Sequence, residues 1–363
     1  MKKLAFVLLA ALAVSPAMAQ RKTKNLIIVT LDGMRWQEVY RGADSALINS
    51  KFTNDKEDVK KRYWAATPQE RRAILFPFLW NTVAKQGQLY GNRDAGGKDE
   101  IANPYKFSYP GYNEIFTGFP DVRMNTNDPI VNPNMNVLEY INKQKGFEGK
   151  VIAFSSWERF PQILNVNRSG LPVYSGYSGL KNADANARLK YLNELQQNVP
   201  HYVNDSTRSD FVTYEYSKEY LKQYKPRVLF MSFDETDDMA HAGNYKSYLE
   251  FAKQEDGFIK NLWEMVQADP FYKNNTTLII TCDHGRGYAQ LDSWRHHGSD
   301  VVGAEQTWFA VIGPDTAPTG EVLTGTTYHK QLAQTMALLL GLDFKANAGH
   351  EVGDAIKSVL TGK

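Results

Sequence analysis

The chain has 363 residues, with 42 basic and 40 acidic side chains and one cysteine, Cys282, so no internal disulfide can form. Its first 19 residues hold two lysines and no acids, so the remaining 363 − 19 = 344 residues carry 40 basic and 40 acidic groups, a balance that excludes a nucleic-acid polymer held by bulk charge. A chain of that length is ample for one large α/β core.

Met1-Lys2-Lys3, the apolar run Leu4 to Val14 and the Ala17-Met18-Ala19 end form a secretory signal pattern, too short to span a bilayer permanently. The expectation is cleavage after Ala19 and a periplasmic or secreted protein with no membrane anchor. Residues 20–363 then form a single domain. Asn25 to Leu31 is a continuous β-branched and apolar run, the pattern of a strand covered on both faces of a parallel sheet, and it ends at Asp32-Gly33. Residues 35–107 read as an excursion over the strand ends. Within it Thr67-Pro68-Gln69-Glu70 is a capping box opening a helix to about Lys85, which Pro77 kinks or splits. Phe107 to Gly118 reads as a turn into a short helix, with Ser108 at or just before its N-terminus, where free N–H groups favour an anion.

Gly149 to Phe154 is the next strand. Residues 157–224 form a second insertion with helices from about Asp184 to Leu195 and Ser209 to Lys222. Arg227 to Phe233 is a strand that runs into Asp234 to Gly243, followed by an amphipathic helix from about Tyr245 to Gln267. Leu278-Ile279-Ile280 leads into Thr281-Cys282-Asp283-His284-Gly285. Trp294 to Asp300 precedes a strand from Thr307 to Ile312, and a last helix runs from about Tyr328 to Leu340. Strands alternating with helices imply a mostly parallel central sheet with helices on both faces, whose strand ends share one rim.

That rim carries Asp32, Ser108, Asp237, His241, Asp283, His284 and His297. Each has a plainer reading alone: a solvated acidic loop around Asp237, a polar turn at His296-His297, a helix cap at Ser108. Together, Asp and His at strand ends suit zinc or a similar borderline ion, whereas an all-oxygen set would suit magnesium or calcium. Cys282, inside an apolar strand, reads as a small core residue.

In combination these motifs resemble the alkaline phosphatase superfamily over roughly Asn25 to Leu342, most closely its nucleotide pyrophosphatase/phosphodiesterase and single-domain phosphatase branches. Leu31-Asp32-Gly33, Ser108-Tyr109-Pro110, Asp237 to His241, Asp283-His284-Gly285 and His297-Gly298 stand at the family's ligand and nucleophile motifs. The resemblance implies two divalent ions, zinc with manganese as the alternative. One would be held by Asp237, His241 and His297, the other by Asp32, Asp283, His284 and the Ser108 oxygen. It further implies a small phosphate ester substrate and a phosphoseryl intermediate on Ser108. Asn132 or Asn134 would contact phosphate, and Arg159 stands near the place of a phosphate-gripping pair in which Trp157 replaces a lysine. The superfamily's sulfatases carry Cys/Ser-x-Pro-x-Arg; here Ser108-Tyr109-Pro110-Gly111 runs into Tyr112, which disfavours sulfate esters. The alternatives are a binding protein that keeps the fold without turnover, and a phosphotransferase or mutase-like relative.

Overall fold

The computed structural model describes residues 21–361 except 182, 184, 185, 202 and 203. The expected signal peptide lies outside the described residues, as does Asp184, the expected start of one helix. The strands are β1 (Asn25–Leu31), β2 (Gln88–Tyr90), β3 (Lys98–Glu100), β4 (Val151–Ser155), β5 (Val173–Ser175), β6 (Val228–Phe233), β7 (Thr276–Thr281), β8 (Gln306–Thr307), β9 (Phe309–Ile312), β10 (Gly320–Glu321) and β11 (Thr326–Tyr328). One sheet has the order β10-β2-β9-β7-β1-β6-β4-β5, and a small second sheet has the order β11-β3-β8. Every residue of β1 is buried. Its side chains divide between two cores: Ile27, Val29 and Leu31 pack into one, with the Tyr245–Ala268 helix, and Leu26 and Ile28 into the other, with the Ser108–Thr117 and Leu332–Leu339 helices. Burial on both faces is why the run is apolar without alternation. The result is the mainly parallel sheet, with helices on both faces, that the sequence implies.

β7, β1 and β6 are adjacent and parallel, with Thr30 opposite Thr281 and Leu31 opposite Phe233. Their C-terminal ends therefore bring Asp32, Asp283 and the segment after Phe233 to one level of the rim. β9 is the exception, antiparallel to both β7 and β2. Its reversal lets a loop that precedes a strand reach the same rim, and that loop carries His297.

Two expectations are corrected. The strand expected from Thr307 to Ile312 is broken at Trp308, whose indole N–H donates to the Met34 carbonyl at 3.0 Å, so β8 joins the small sheet and β9 the large one. Residues 35–107 and 157–224 do not only lie over the strand ends: the first supplies β2 and β3, the second the edge strand β5. Strands of three residues carry too little apolar pattern to be read. The helix expected to about Lys85 is split next to Pro77, as the sequence implies: its first part is Pro68–Leu75 and its last turn is Ala84–Gln86. Past Pro77, the Phe78 and Leu79 N–H groups donate instead to the Asp256 carboxylate at 2.7 and 3.0 Å, before a turn of wider helix at Leu79–Val83. Among the described residues, no helix is long and apolar enough to cross a membrane.

Behind the rim, His329 Nε2 lies 2.8 Å from Asp99, both fully buried, and Asp99 also accepts from the Thr307 and Thr327 hydroxyls. Burial alone would lower the imidazole pKa, but the neighbouring Asp99, Glu114 and Asp283 charges outweigh it and hold the group above its usual value. A raised folded pKa stabilises fully below the unfolded value of about 6.5, and that contribution fades as pH rises through the folded value. His329→Gln should cost about 3–5 kcal/mol at pH 6. The gap to wild type should narrow toward pH 9 in urea unfolding; a gap that widens with pH would contradict the pairing.

Candidate metal centre

Asp32 follows β1, where Gly33 has φ +58°, and a Cβ there would fall 2.5 Å from Asp237 Oδ1. Only glycine fits a left-handed turn this close to a second carboxylate. The Glu235–His241 helix follows β6 and carries Asp237 and His241 one turn apart. Ser108 is the first residue of the Ser108–Thr117 helix, which ends on Gly118 in the left-handed region. Gly111 lets that helix pack onto the end of β7: a Cβ there would lie 2.4 Å from the Asp283 carbonyl.

All seven predicted rim residues come together. One oxygen or nitrogen each of Asp32, Asp283 and His284 lie within 4.8 Å of one another, as do those of Asp237, His284 and His297. His284 Nε2 is 3.4 Å from Asp32 Oδ1, 3.5 Å from Asp283 Oδ2 and 3.8 Å from Asp237 Oδ1. Ser108 Oγ is 3.4 Å from the same nitrogen. His241 Nε2 lies 3.1 Å from Asp237 Oδ2 and 2.9 Å from His297 Nε2. The first three residues are buried, whereas Asp237, His241 and His297 border a cavity of about 340 Å³ that also touches Ser108, Trp157 and Asn127.

The donor set fits divalent cations. Asp32 Oδ1 and Asp283 Oδ2 are buried with no hydrogen-bond partner among the described residues, while their other oxygens are fixed. Asp32 Oδ2 accepts from the Tyr112 hydroxyl at 2.9 Å and Asp283 Oδ1 from the Gly33 N–H at 3.0 Å. His284 Nδ1 faces the Gly285 carbonyl at 2.9 Å, and a carbonyl only accepts, so Nδ1 holds the proton and Nε2 offers a lone pair. The two imidazole nitrogens of His241 and His297 face each other at hydrogen-bond distance. Burial, then the neighbouring His284, Arg286 and His241, pushes His297 well below its usual pKa; burial lowers His241 and His284 as well. Burial, then the Asp283 and Asp234 charges, raises Asp32 well above the carboxylate range. Neutral imidazoles beside carboxylates that resist ionisation are what a bound dication would reverse.

The substrate contacts expected from sequence fall elsewhere. Asn132 is buried and its amide donates to Asn113 at 3.0 Å; Asn134 donates to Asp121 at 2.8 Å. Neither lines the cavity. Asn127 does, with Oδ1 accepting the Tyr109 N–H at 3.0 Å, which leaves its NH₂ as a donor. Arg159 holds that loop, donating to the Asn127 carbonyl at 2.9 Å, and pairs with Glu158 at 2.8 Å. Two further residues escaped the sequence reading. Tyr112, where sulfatases carry arginine, fixes Asp32. Arg286, immediately after Asp283-His284-Gly285, is fully buried; it pairs with Asp237 and donates to the Gly33 and Arg295 carbonyls at 3.1 and 2.7 Å. An arginine one residue beyond a metal motif was the available signal.

Residues 187–342 match the family model described as the Metalloenzyme superfamily. No curated protein sequence matches the chain. Among solved structures, a protein in the alkaline phosphatase superfamily from Vibrio parahaemolyticus is similar with a TM-score of 0.52 and 14% identity, over 90% of this chain and 69% of that one. Murine ectonucleotide pyrophosphatase/phosphodiesterase 5, solved with AMP, is similar at 0.54 and 13%, over 91% and 97%. The 2-O GAG sulfatase BT1596 is similar at 0.54 and 12%, over 93% and 74%. At such identities the structures speak for the fold, and the matched segment carries the motif residues Asp237, His241, Asp283, His284 and His297. On the two together, residues 187–342 match the Metalloenzyme superfamily, and the chain as a whole has a fold similar to that of solved structures in the alkaline phosphatase superfamily.

Proposed function

We propose that the protein is an exported two-metal phosphoric ester hydrolase that works through a phosphoseryl intermediate on Ser108, and that it prefers diesters. The observation that carries this is the convergence of two donor groups, sharing His284, with the Ser108 hydroxyl 3.4 Å from that nitrogen. Asp32, Asp283 and His284 would hold one ion with the serine oxygen, and Asp237, His241 and His297 the other. Zinc, or manganese in its place, would supply Lewis acidity, lowering the pKa of the serine hydroxyl and offsetting phosphoryl charge.

The chain's own residues then have defined tasks. Ser108 Oγ forms a bond to phosphorus while the ester alcohol departs with the electrons of the broken P–O bond; water later cleaves the phosphoserine and restores the hydroxyl. The Asn127 NH₂ is free to donate to a phosphoryl oxygen. Trp157 forms an aromatic side of the cavity, suited to flank a ring in the leaving group. Among the described residues, no lysine or arginine lines this cavity, and Arg159 is engaged with Glu158 and the Asn127 loop. A monoester dianion therefore finds no side-chain cation for its extra charge, whereas a diester monoanion needs none. The missing arginine after Ser108 argues against sulfate esters in the same way.

Initial rates on metal-replete protein with an aryl phosphate, a bis-aryl phosphate and an aryl sulfate test this. The diester kcat/KM should exceed the monoester value by at least about tenfold, or ~1.4 kcal/mol in the barrier. The reverse ratio would assign a monoesterase. No hydrolysis by protein with both ions bound would favour a binding role, and phosphate passed to an added alcohol would favour a transferase.

A further inference from the structure

We propose that Asp210 is a positioning residue for the metal centre: it aims the Glu235–His241 helix so that Asp237 and His241, with His297, can hold their ion. The inference rests on the two-ion reading above. That helix has seven residues, and Ala240 is its only apolar side chain that is fully buried. Apolar packing therefore fixes little of it, and polar contacts at its two ends have to place it. At the C-terminal end the His241 carbonyl accepts from Arg295 at 2.9 Å.

At the N-terminal end the cap comes from elsewhere in the chain. Asp234, the residue before the helix, makes no side-chain cap; its carboxylate accepts the Thr207 hydroxyl at 3.0 Å instead. Asp210, the first residue of the Asp210–Tyr224 helix, takes that place. Its Oδ1 accepts the Asp234 N–H and its Oδ2 the Glu235 N–H, both at 2.9 Å. The exchange is mutual, since the Asp210 N–H donates to Glu235 Oε2 at 3.3 Å. An anion across free N–H groups at a helix start is favoured by hydrogen bonding and by the dipole together. A carboxylate with one oxygen on each of two consecutive N–H groups also fixes the direction in which that helix leaves the sheet.

Asp210 is itself held in place. It is fully buried, and the Ser156 hydroxyl, just after β4, donates to its Oδ1 and lies 2.8 Å from the Thr213 hydroxyl. Burial pushes the Asp210 carboxyl up to about 6 against the pull of Ser156 and the two N–H groups, so it is still an anion at neutral pH. A plainer role, as a cap on its own helix, does not fit the contacts: both oxygens are spent on the helix that carries the ligands. The other ion's residues, Asp32, Asp283 and His284, follow β1 and β7, whose ends the paired strands fix without Asp210. Loss of Asp210 should therefore loosen one ion and spare the other.

The test titrates metal-free protein with zinc in competition with a chromogenic chelator, so it reads binding and needs no substrate. Asp210→Ala should weaken one ion by at least about tenfold and leave the other within about threefold of wild type. Asp210→Asn keeps the shape but turns its NH₂ on one of the two N–H groups; it should do the same, and it decides the matter if Asp210→Ala fails to fold. The ion lost should be the one that His241→Ala loses. Leu221→Ala opens a cavity beside the same helix as Asp210, and should lower the melting temperature while both ions stay. Both ions held as in wild type, both weakened alike, or the same selective loss in Leu221→Ala would overturn the inference and leave the hydrolase reading standing. Wild-type protein that binds fewer than two ions would overturn that reading and this inference with it.

Discussion

Replacing Ser108 with alanine should reduce turnover on the best ester by on the order of 10⁴-fold or more, with metal content held near about two ions per chain. The expectation follows from how little else in the site can attack phosphorus. Among the described residues, Ser108 is the only hydroxyl within hydrogen-bond distance of His284 Nε2. Cys282, the other nucleophilic side chain nearby in sequence, is fully buried in the core, and burial raises its thiol pKa well above the usual value. The helix that presents Ser108 is placed by contacts the substitution leaves alone, chiefly Gly111 against the Asp283 carbonyl and the buried Tyr109 and Tyr112. Ser108 itself makes one 3.4 Å contact and is 7% exposed, so melting should shift little and the lost rate can be read as lost chemistry. Mass spectrometry of acid-quenched wild-type protein should find a phosphoryl adduct on Ser108 that still carries the second ester group when the substrate is a diester. Turnover within tenfold of wild type in Ser108→Ala would remove the covalent step.

Which parts of this were legible in the sequence follows from what each part depends on. β1 and its Asp32 could be read because seven consecutive buried residues leave an unbroken apolar signature that stops at a polar end. The same holds for β6 and β7. The long helix Tyr245–Ala268 could be read because its period is 3.6 and its apolar residues Tyr248, Leu249, Ala252, Phe258, Ile259, Leu262 and Val266 share one buried face. β2, β5 and β10 could not, since two or three residues at a sheet edge leave no period to detect. The reversal of β9 was invisible for a different reason: strand direction is set by the connection, not by composition. Asn127 was missed because a lone asparagine in a polar loop looks like any turn residue, and only the approach of the Tyr109 N–H fixes its amide toward the cavity. Asn132 and Asn134, in an Asn-Pro-Asn run, looked more deliberate, but their amides serve the loop itself. The motifs at Asp32, Asp237 to His241 and Asp283-His284 behaved differently because each is a fixed residue pattern just after a parallel strand, and the parallel register brings such ends together whatever lies between them.

The second large effect is expected from chelation. EDTA treatment should bring turnover to background and lower the melting temperature, and zinc or manganese should restore both. Each ion bound to the folded state alone stabilises by RT ln(1 + [L]/Kd), about 4 kcal/mol at a thousandfold excess over Kd. Left to its own charges, the rim works against itself. Asp32 resists ionisation because of burial first and the Asp283 charge second, and the buried cation within reach, Arg286, is itself lowered by desolvation to about 9. The raised Asp32 carboxyl therefore holds its proton to higher pH than a free carboxylate, and a cation bound there would compete with that proton. The sign follows: metal affinity should fall as pH falls, because the raised carboxylate takes up its proton first. The lowered imidazoles of His241, His284 and His297 stay neutral and begin to compete only at more acidic pH. Release of zinc to a chromogenic chelator, followed from pH 8 downward, should show this order, with Asp32→Asn weakening metal retention already at pH 8. If chelated protein kept its melting temperature and its turnover, shared protons rather than cations would be balancing the rim carboxylates, and Ser108 would need an activating base that no residue within hydrogen-bond distance of it except His284 could supply.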